Sequence, residues 1–458
     1  MNKQHKIDME DTIAAISTPI GESAIGIVRL SGNRCLEIAG RIFRSKTGKA
    51  PSTFKSFTIH YGRVMDGDLD VDEALLAVMR APKSYTKEDM AEISCHGGVV
   101  PLRKVLSGAL RAGARLAEPG EFTRRAFING RIDLAQAEAV LDIIRSKTDS
   151  SMAMALERLD GGLSAAVKGI KDEVISILAG VEASVDFPEE DLEIISEACT
   201  KERLGSVLFS LKKLADSANK GIIMREGVSC VICGKPNVGK SSLLNALLKK
   251  ERAIVTHVPG TTRDSIEEYA DIEGIPFRLI DTAGITSSAD IVEKQGIIRS
   301  REHIKNASLV MLVLDAGVPL SGEDTALLKD TEGRPRIIVI NKSDLPRKID
   351  FKAPGTVEVS AKKGYAIDKL RTAMAEAVFG GAVIGQEGCA ISNLRQKEAC
   401  RQAAEAASRA LGAVEGGQSA ELAAVDIREC LDHISEIAGE TFDEDILDRV
   451  FSSFCIGK

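Results

Sequence analysis

Val228-Ser-Cys-Val-Ile-Cys-Gly-Lys-Pro-Asn-Val-Gly-Lys-Ser-Ser242 decides the fold of the middle of this chain. An apolar run of strand length, Val228–Cys233, leads into Gly234-Lys-Pro-Asn-Val-Gly-Lys-Ser241 and then a helical pattern, Ser242–Lys250. This is G-x-x-x-x-G-K-S in its strand–loop–helix context. The glycines let successive N–H groups curl toward phosphate oxygens, and the following helix adds its positive end. Lys240 supplies a point charge at the β- and γ-phosphates, and Ser241 offers a hydroxyl to Mg²⁺.

Three more elements follow in order. The strand Phe277–Ile280 ends in Asp281-Thr-Ala-Gly284, where Asp281 can hold Mg²⁺ through water and the Gly284 N–H can meet the γ-phosphate. The strand Arg336–Ile340 ends in Asn341-Lys-Ser-Asp344. The Asp344 carboxylate can accept from guanine N1–H and N2–H₂, and adenine, lacking that donor pair, would leave it unpaired. Val357-Glu-Val359 then runs into Ser360-Ala-Lys362, a loop that backs the base. Between the first two elements, Thr256-His-Val-Pro-Gly-Thr-Thr-Arg-Asp264 offers Thr261 and Thr262 as the hydroxyl that joins Mg²⁺, with Gly260 as a hinge. The candidate GTP contacts are Asn237, Val238, Gly239, Lys240, Ser241, Ser242, Thr256, Thr261, Thr262, Asp281, Thr282, Ala283, Gly284, Asn341, Lys342, Asp344, Ser360, Ala361 and Lys362. Ras-like enzymes place a glutamine after the Asp-x-x-Gly element. Here Ile285 stands there and cannot orient water, so hydrolysis must use another group or be slow. Spacing alone reads Glu293 as a solvated helix-face residue.

Outward from this module the texture changes. Leu134–Lys147, Met152–Val185 and Lys201–Met224 carry helical spacing, interrupted near Phe187-Pro188, and the pattern returns over Arg395–Val414 and Ala420–Gly439. An α/β module over 227–381 is therefore inserted into a helical one, split as 132–226 and 382–458. The first segment, 1–131, mixes strands at Ala24–Leu30, Ala74–Met79 and Met90–Cys95 with a helix at Val100–Ala112 and a turn at Pro119-Gly120. The fold class is multidomain: an α+β segment, an all-α segment and an inserted P-loop α/β domain.

The 458 residues suit about three domains at roughly 150 residues each. With 60 Lys plus Arg against 67 Asp plus Glu, the net charge of −7 excludes a uniformly basic nucleic-acid binder and allows a local patch. Seven basic and two acidic residues between Leu102 and Arg131 are such a run, read first as a solvated face and second as a tRNA contact. The absence of Trp and the four Tyr leave few stacking platforms for bases. The beginning, MNKQHKIDMED, carries no secretory pattern, no long apolar run spans a membrane, and nine scattered Cys fit a reducing cytoplasm. Cys230 and Cys233 lie three apart on a strand, so their thiols point to opposite faces and serve packing. His96 reads as a turn residue before Gly97-Gly98, with catalysis as the alternative. Cys455 divides evenly between a docked segment and a functional thiol.

The chain resembles the MnmE/TrmE family of tRNA-modification GTPases. The resemblance rests on Gly26-Ile-Val-Arg29, His96-Gly-Gly98, Pro119-Gly-Glu-Phe-Thr-Arg-Arg-Ala-Phe127, Asp133-Leu-Ala-Gln-Ala-Glu-Ala139, the GTPase elements, Gly260-Thr-Thr-Arg-Asp264 and Cys455-Ile-Gly-Lys458. It implies a folate-binding, dimerising N-terminal domain and a helical domain around a Ras-like G domain. It also implies an FAD-containing partner of MnmG/GidA type, in a heterotetramer, acting on C5 of the wobble uridine of certain tRNAs. The products would be carboxymethylaminomethyl or aminomethyl uridine, with the carbon from 5,10-methylene- or 5-formyl-tetrahydrofolate and nitrogen from glycine or ammonium. By the same resemblance K⁺ is held by Asn237, Thr256, Val258 and Thr261, where it stands in for an arginine finger. Mg²⁺ is held by Ser241 and Thr262, Glu293 orients water, and Cys455 is catalytic. Folate meets Arg29, Glu92, Arg131 and Lys458. Two positions depart from the family: Arg131 stands where Lys is common, and Lys87 where Gly is usual. A second reading, a regulatory switch for a ribosomal or membrane partner without folate chemistry, leaves 1–131 and the Cys-Ile-Gly-Lys segment unexplained.

Overall fold

The structure, a computed structural model, describes residues 11–186, 196–249, 267–281, 304–379, 391–440 and 444–458. The chain divides into two compact units, Met1–Leu141 with Ala438–Lys458, and Asp142–Ile437.

The first unit is built on seven strands: β1 (Ile13–Ile16), β2 (Ser23–Ser31), β3 (Phe43–Ser45), β4 (Thr58–Asp66), β5 (Leu69–Met79), β6 (Met90–Gly97) and β7 (Arg115–Leu116). Their order is β3-β4-β5-β6-β2-β1-β7. All pairs are antiparallel except β1 with β7. Alternation along each strand sends Val28, Leu30, Leu76, Val78, Ala91 and Ile93 into one core. The helices Cys35–Ile42 and Val99–Arg111 supply Ile38, Ala39, Leu102 and Val105 to it. The opposite face carries Arg29 and Glu92, register partners on β2 and β6. Part of that face is covered by Phe122, from the helix Glu121–Ile128, which packs with Ile13, Ala15, Met90 and Ala117. The helix Glu444–Ser452 joins the same unit: Leu447 and Phe451 pack with Ala126, Leu134, Ala137 and Leu141. The expected turn at Pro119-Gly120 is the start of the helix Glu121–Ile128, with Gly120 at φ +68°. The strands β1, β3, β4 and β7 add to the three that the sequence pattern indicates.

The basic run between Leu102 and Arg131 is not simply a solvated face. Arg125 is fully buried among Asp11, Glu88 and Glu121, and Arg115 pairs with Asp11 and Glu121. Two of its seven cations are thus committed to internal carboxylates.

The second unit holds six further strands: β8 (Val228–Cys233), β9 (Glu267–Ile272), β10 (Ile275–Asp281), β11 (Leu309–Asp315), β12 (Arg336–Asn341) and β13 (Thr356–Glu358). The order is β13-β12-β11-β8-β10-β9, parallel except for the β9–β10 hairpin. Both faces are covered, so β11 is buried along its whole length and reads as a continuous apolar run. Cys230 belongs to one core layer and Cys233 to the other, as expected from strand alternation. Burial pushes the Cys233 thiol up to about 12, which suits packing and not redox exchange. The helices Gly162–Asp186, Glu197–Glu226, Leu394–Glu415 and Ala420–Ala438 form the helical part. The small residues Ala399, Ala403, Ala406 and Ala410 lie along the buried side of Leu394–Glu415, which packs against Glu197–Glu226; the Cys400 thiol reaches Leu211 O at 3.2 Å. The pattern Met152–Val185 is two helices, Asp149–Leu159 and Gly162–Asp186, because Gly161 adopts φ +91° between them. Glu197–Glu226 runs through Gly227, at φ +80°, directly into β8.

Candidate functional site

The carboxyl ends of β8, β10 and β12 bring the nucleotide elements to one edge of the second sheet. After Cys233 the chain must turn sharply under Val313, and Gly234 does so at φ +150°; a Cβ there would lie 2.4 Å from Val313 O. Asn237 at φ +63° and Gly239 at φ +95° complete the curl. A Cβ on Gly239 would meet Asn341 Nδ2 at 2.3 Å. The helix Lys240–Leu248 begins at once, so its free N–H groups face the loop.

Lys240 lies along the loop and donates to Gly234 O at 2.8 Å and Lys235 O at 2.9 Å. Burial holds its ammonium below the ordinary lysine value, opposed by the charge of Asp281. Ser241 Oγ donates to Asp281 Oδ2 at 2.9 Å. A hydroxyl and a carboxylate side by side at a phosphate loop are the hard oxygen donors Mg²⁺ takes, so the residues present fit that ion. Ser242, Gly239, Asn341, Lys342, Asp344, Ala361 and Lys362 line a cleft of about 750 Å³.

Asn341 acts as a tie: its Nδ2 donates to Val238 O at 2.9 Å, and its Oδ1 accepts from Ala361 N at 3.0 Å. Lys342, at φ +64°, donates to Asn237 O at 2.7 Å and pairs with Asp315 at 2.7 Å. Asp344 Oδ1 accepts from the buried Ser360 Oγ at 2.6 Å. That hydrogen bond first, then the charges of Lys363 and Lys362, holds the Asp344 carboxyl below its ordinary value. An ionised acceptor at the cleft mouth suits a base that presents two N–H donors. Thr256, Val258, Thr261, Thr262, Thr282, Ala283, Gly284 and Glu293 lie outside the described residues.

Asp315 and Asp324 are the functional neighbours that motif reading does not provide. Asp315 ends β11 beside Asn341 in register and holds Lys342, so a strand-end carboxylate was the available signal. Asp324 is buried, accepts from Ser321 Oγ at 2.7 Å and pairs with Lys235 of the loop at 2.7 Å. Ser321-x-x-Asp324 is a capping box that marks the start of the helix Gly322–Asp330, but nothing in that local pattern indicates the pairing with Lys235.

A second cluster lies in the first unit. Arg29 Nε donates to Glu92 Oε1 at 2.8 Å, and Arg29 Nη1 to Gly457 O at 3.1 Å. The segment Cys455–Lys458 docks beside Pro119–Phe122: Gly120 N donates to Cys455 O, Phe122 N to Lys458 O, and Ser17 Oγ to Gly457 O. Gly457 is at φ +97°, where a Cβ would come within 2.3 Å of Ile16 O. Lys458 is half-buried; burial and then the charge of Arg29 hold its ammonium low, against Glu92 and Cys455. Arg131 is exposed with its guanidinium 4.6 Å from the Tyr85 ring centre. The structure thus gathers Arg29, Glu92 and Lys458, and joins Arg131 to Arg29 through Tyr85, which both cations approach. Among the described residues neither Arg131 nor Lys458 has an ion-pair partner. One carboxylate for ring N–H donors and unpaired cations for a carboxylate tail fit a reduced folate. Cys455 is exposed. His96 Nδ1 contacts Asp72 Oδ1 at 2.6 Å, while its backbone N donates to Asp72 Oδ2 at 2.8 Å; His96 is thus the penultimate residue of β6, held to Asp72 on the neighbouring strand β5, and not the turn residue that the sequence suggests.

Comparison with known proteins identifies the family. The family model of the MnmE helical domain matches residues 134–455, and that of the GTP-binding protein TrmE N-terminus matches residues 12–131. A tRNA modification GTPase MnmE of Geobacillus thermodenitrificans is 48% identical, the match covering 98% of this chain and 99% of the relative. Its counterpart in Bacillus subtilis is 45% identical over 98% of this chain and 100% of the relative. Among solved structures, Aquifex aeolicus Era matches 39% of this chain and 66% of its own at 25% identity, with a TM-score of 0.27. No described helix is long and apolar enough to cross a membrane. With both family models and full-length relatives in agreement, the chain belongs to the MnmE family of tRNA modification GTPases.

Proposed function

We propose that this chain binds and hydrolyses GTP with Mg²⁺ and K⁺. With an FAD-containing MnmG/GidA-type partner, it then converts C5 of the wobble uridine of certain tRNAs to the carboxymethylaminomethyl or aminomethyl form. The observation that carries the reading is the joint assembly of Lys240, Ser241–Asp281 and Asp344–Ser360 at one sheet edge. Lys240 neutralises phosphate charge, Ser241 and Asp281 hold Mg²⁺, and Asp344 selects guanine. Asn237, with Thr256, Val258 and Thr261, is the reading for K⁺; Thr262 joins Mg²⁺ and Glu293 orients water. A monovalent cation beside the phosphates supplies the charge that an arginine finger supplies elsewhere. Arg29, Glu92, Arg131 and Lys458 would hold a tetrahydrofolate that supplies the one-carbon unit, with Cys455 nearby as the reactive thiol.

The partition into 1–131, 132–226, 227–381 and 382–458, and a cytoplasmic place of action, belong to the same proposal. So does a homodimer formed through the first segment. It is supported by the exposed apolar face of Ile59, Tyr61 and Leu75 on the neighbouring strands β4 and β5. An apolar sheet face left open on a monomer suits a second copy.

The test is GTP hydrolysis in K⁺ against Na⁺. The wild-type chain should turn over faster in K⁺, and Asn237→Ala should abolish that preference while GTP still binds. Hydrolysis indifferent to the cation in the wild type would remove K⁺ from the account.

A further inference from the structure

The turn joining β5 to β6 places an unusual lysine beneath the proposed folate site. Lys87 has φ +60°, in the left-handed region that favours glycine. A side-chain-bearing residue stays in such a conformation only where its surroundings over-determine it. Here the surroundings are the end of the helix Glu121–Ile128. The Lys87 ammonium donates to Asn129 O at 3.0 Å and Gly130 O at 2.9 Å, and Asn129 Nδ2 donates back to Thr86 O at 2.7 Å. These are the carbonyls of the C-cap residue and of the residue after it, which the helix itself leaves without a partner. The next residue after Gly130, itself at φ +66°, is Arg131.

Two residues before Lys87, Tyr85 completes the arrangement. Its hydroxyl is 2.9 Å from Thr123 Oγ1, which anchors the ring to the same helix. The Arg131 guanidinium lies 4.6 Å from the ring centre, and that of Arg29 lies 5.9 Å from it. The backbone that precedes Arg131 and the plane against which its side chain rests are therefore both set by one short turn. Arg131 is exposed, with no ion-pair partner among the described residues, so its fork is free to pair bidentately with a carboxylate.

We propose that Tyr85 and Lys87 form a clasp that aims Arg131 at a glutamate carboxylate of the bound folate. They are positioning residues that set a preference for glutamate-bearing folates over bare pterins. The inference rests on the folate reading of Arg29, Glu92, Arg131 and Lys458, and it assigns roles to residues outside that set.

The test is calorimetric titration of the full-length chain with 5-formyl-tetrahydrofolate and, separately, with a methylated tetrahydropterin lacking the glutamate. Lys87→Gly should leave hydrogen exchange of Glu121–Ile128 at the wild-type level, since glycine adopts this backbone without strain. It should weaken folate binding on the order of tenfold, equivalent to about 1.4 kcal/mol, and leave pterin binding unchanged. Lys87→Arg should restore most of the loss, because its guanidinium also reaches the two carbonyls. In an Arg131→Ala background, Lys87→Gly should add nothing. Tyr85→Phe, which keeps the ring and loses the bond to Thr123, should produce a smaller loss confined to the same ligand. If Arg131→Ala weakens folate binding and Lys87→Gly does not, the clasp is wrong and the folate site stands. Equal losses for folate and pterin would make Lys87 merely structural, which also overturns the proposal. A wild-type chain that binds neither ligand would overturn the clasp and the folate reading together.

Discussion

Replacing Arg125 with Met would open the most concentrated charge cluster of the first unit. The side chain is fully buried. Nη1 donates to Asp11 O at 3.2 Å and to Glu88 Oε1 at 3.2 Å; Nη2 donates to Glu121 Oε1 at 3.0 Å and contacts Asp11 Oδ1. Three carboxylates are thus balanced by two guanidiniums, Arg125 and Arg115. Methionine matches the volume but leaves three carboxylates against Arg115 alone. Removing one partner of a buried ion pair costs about 3–5 kcal/mol. Glu121 is buried, but Asp11 and Glu88 keep 23% and 14% side-chain exposure and can draw on water. The lower end, about 3 kcal/mol, is therefore expected, or roughly a hundredfold in local opening. In a chain of two units a single melting curve mixes transitions, so hydrogen exchange read by mass spectrometry on Glu121–Ile128 is the suitable assay. The pH dependence has a definite sign. Burial pushes the Asp11 carboxyl up, and hydrogen bonds from Arg115 and Arg125 overcome it to hold the group below its ordinary 3.8. A carboxyl held low stabilises the fold above its unfolded pKa, and that contribution is lost as the pH falls through the folded value. The variant's deficit should accordingly be largest near neutrality and shrink below about pH 4. Exchange within about threefold of wild type at neutral pH would refute the view that Arg125 holds the cluster together.

The remaining expectations concern the two sites. Asp344→Asn should lower GTP affinity on the order of a hundredfold and improve xanthosine triphosphate binding, because the new amide donor faces a carbonyl in place of guanine's N2–H₂; competition binding with both nucleotides measures it, and unchanged preference would remove Asp344 from base readout. Gly457→Ala places a Cβ 2.3 Å from Ile16 O in a left-handed backbone, so Cys455–Lys458 should undock, with folate binding lost and GTP hydrolysis retained. Calorimetry beside a phosphate-release assay separates those two effects.

The nucleotide site was the more legible of the two because its chemistry is local. A phosphate loop needs glycines, a lysine and a hydroxyl within eight consecutive residues, and β8, β10 and β12 were apolar runs ending in those motifs. The inserted order, with helices on both sides of the α/β part, was likewise visible in hydrophobic spacing. Asp324 and the tie made by Asn341 were not, since both depend on partners far away in the chain. In the first unit Arg29 and Glu92 face each other only through the register of β2 and β6, which no local pattern encodes. Their assignment came through resemblance, as did that of Lys458. The exposed alternation of β4 and its charged neighbours hid a strand, and the buried role of Arg125 hid inside what reads as a basic run. Lys87 departs from the family pattern, and the contacts to Asn129 and Gly130 on which its proposed role rests are set by the fold and not by local sequence.

The most direct test of the central claim is mass analysis of wobble uridines in tRNA from cells lacking this chain, complemented by wild type, Lys240→Ala or Arg29→Ala. The account predicts that carboxymethylaminomethyl and aminomethyl uridine disappear in the deletion and return only with the wild-type chain. Modified uridines at wild-type levels in the deletion strain, or full restoration by Lys240→Ala, would contradict it.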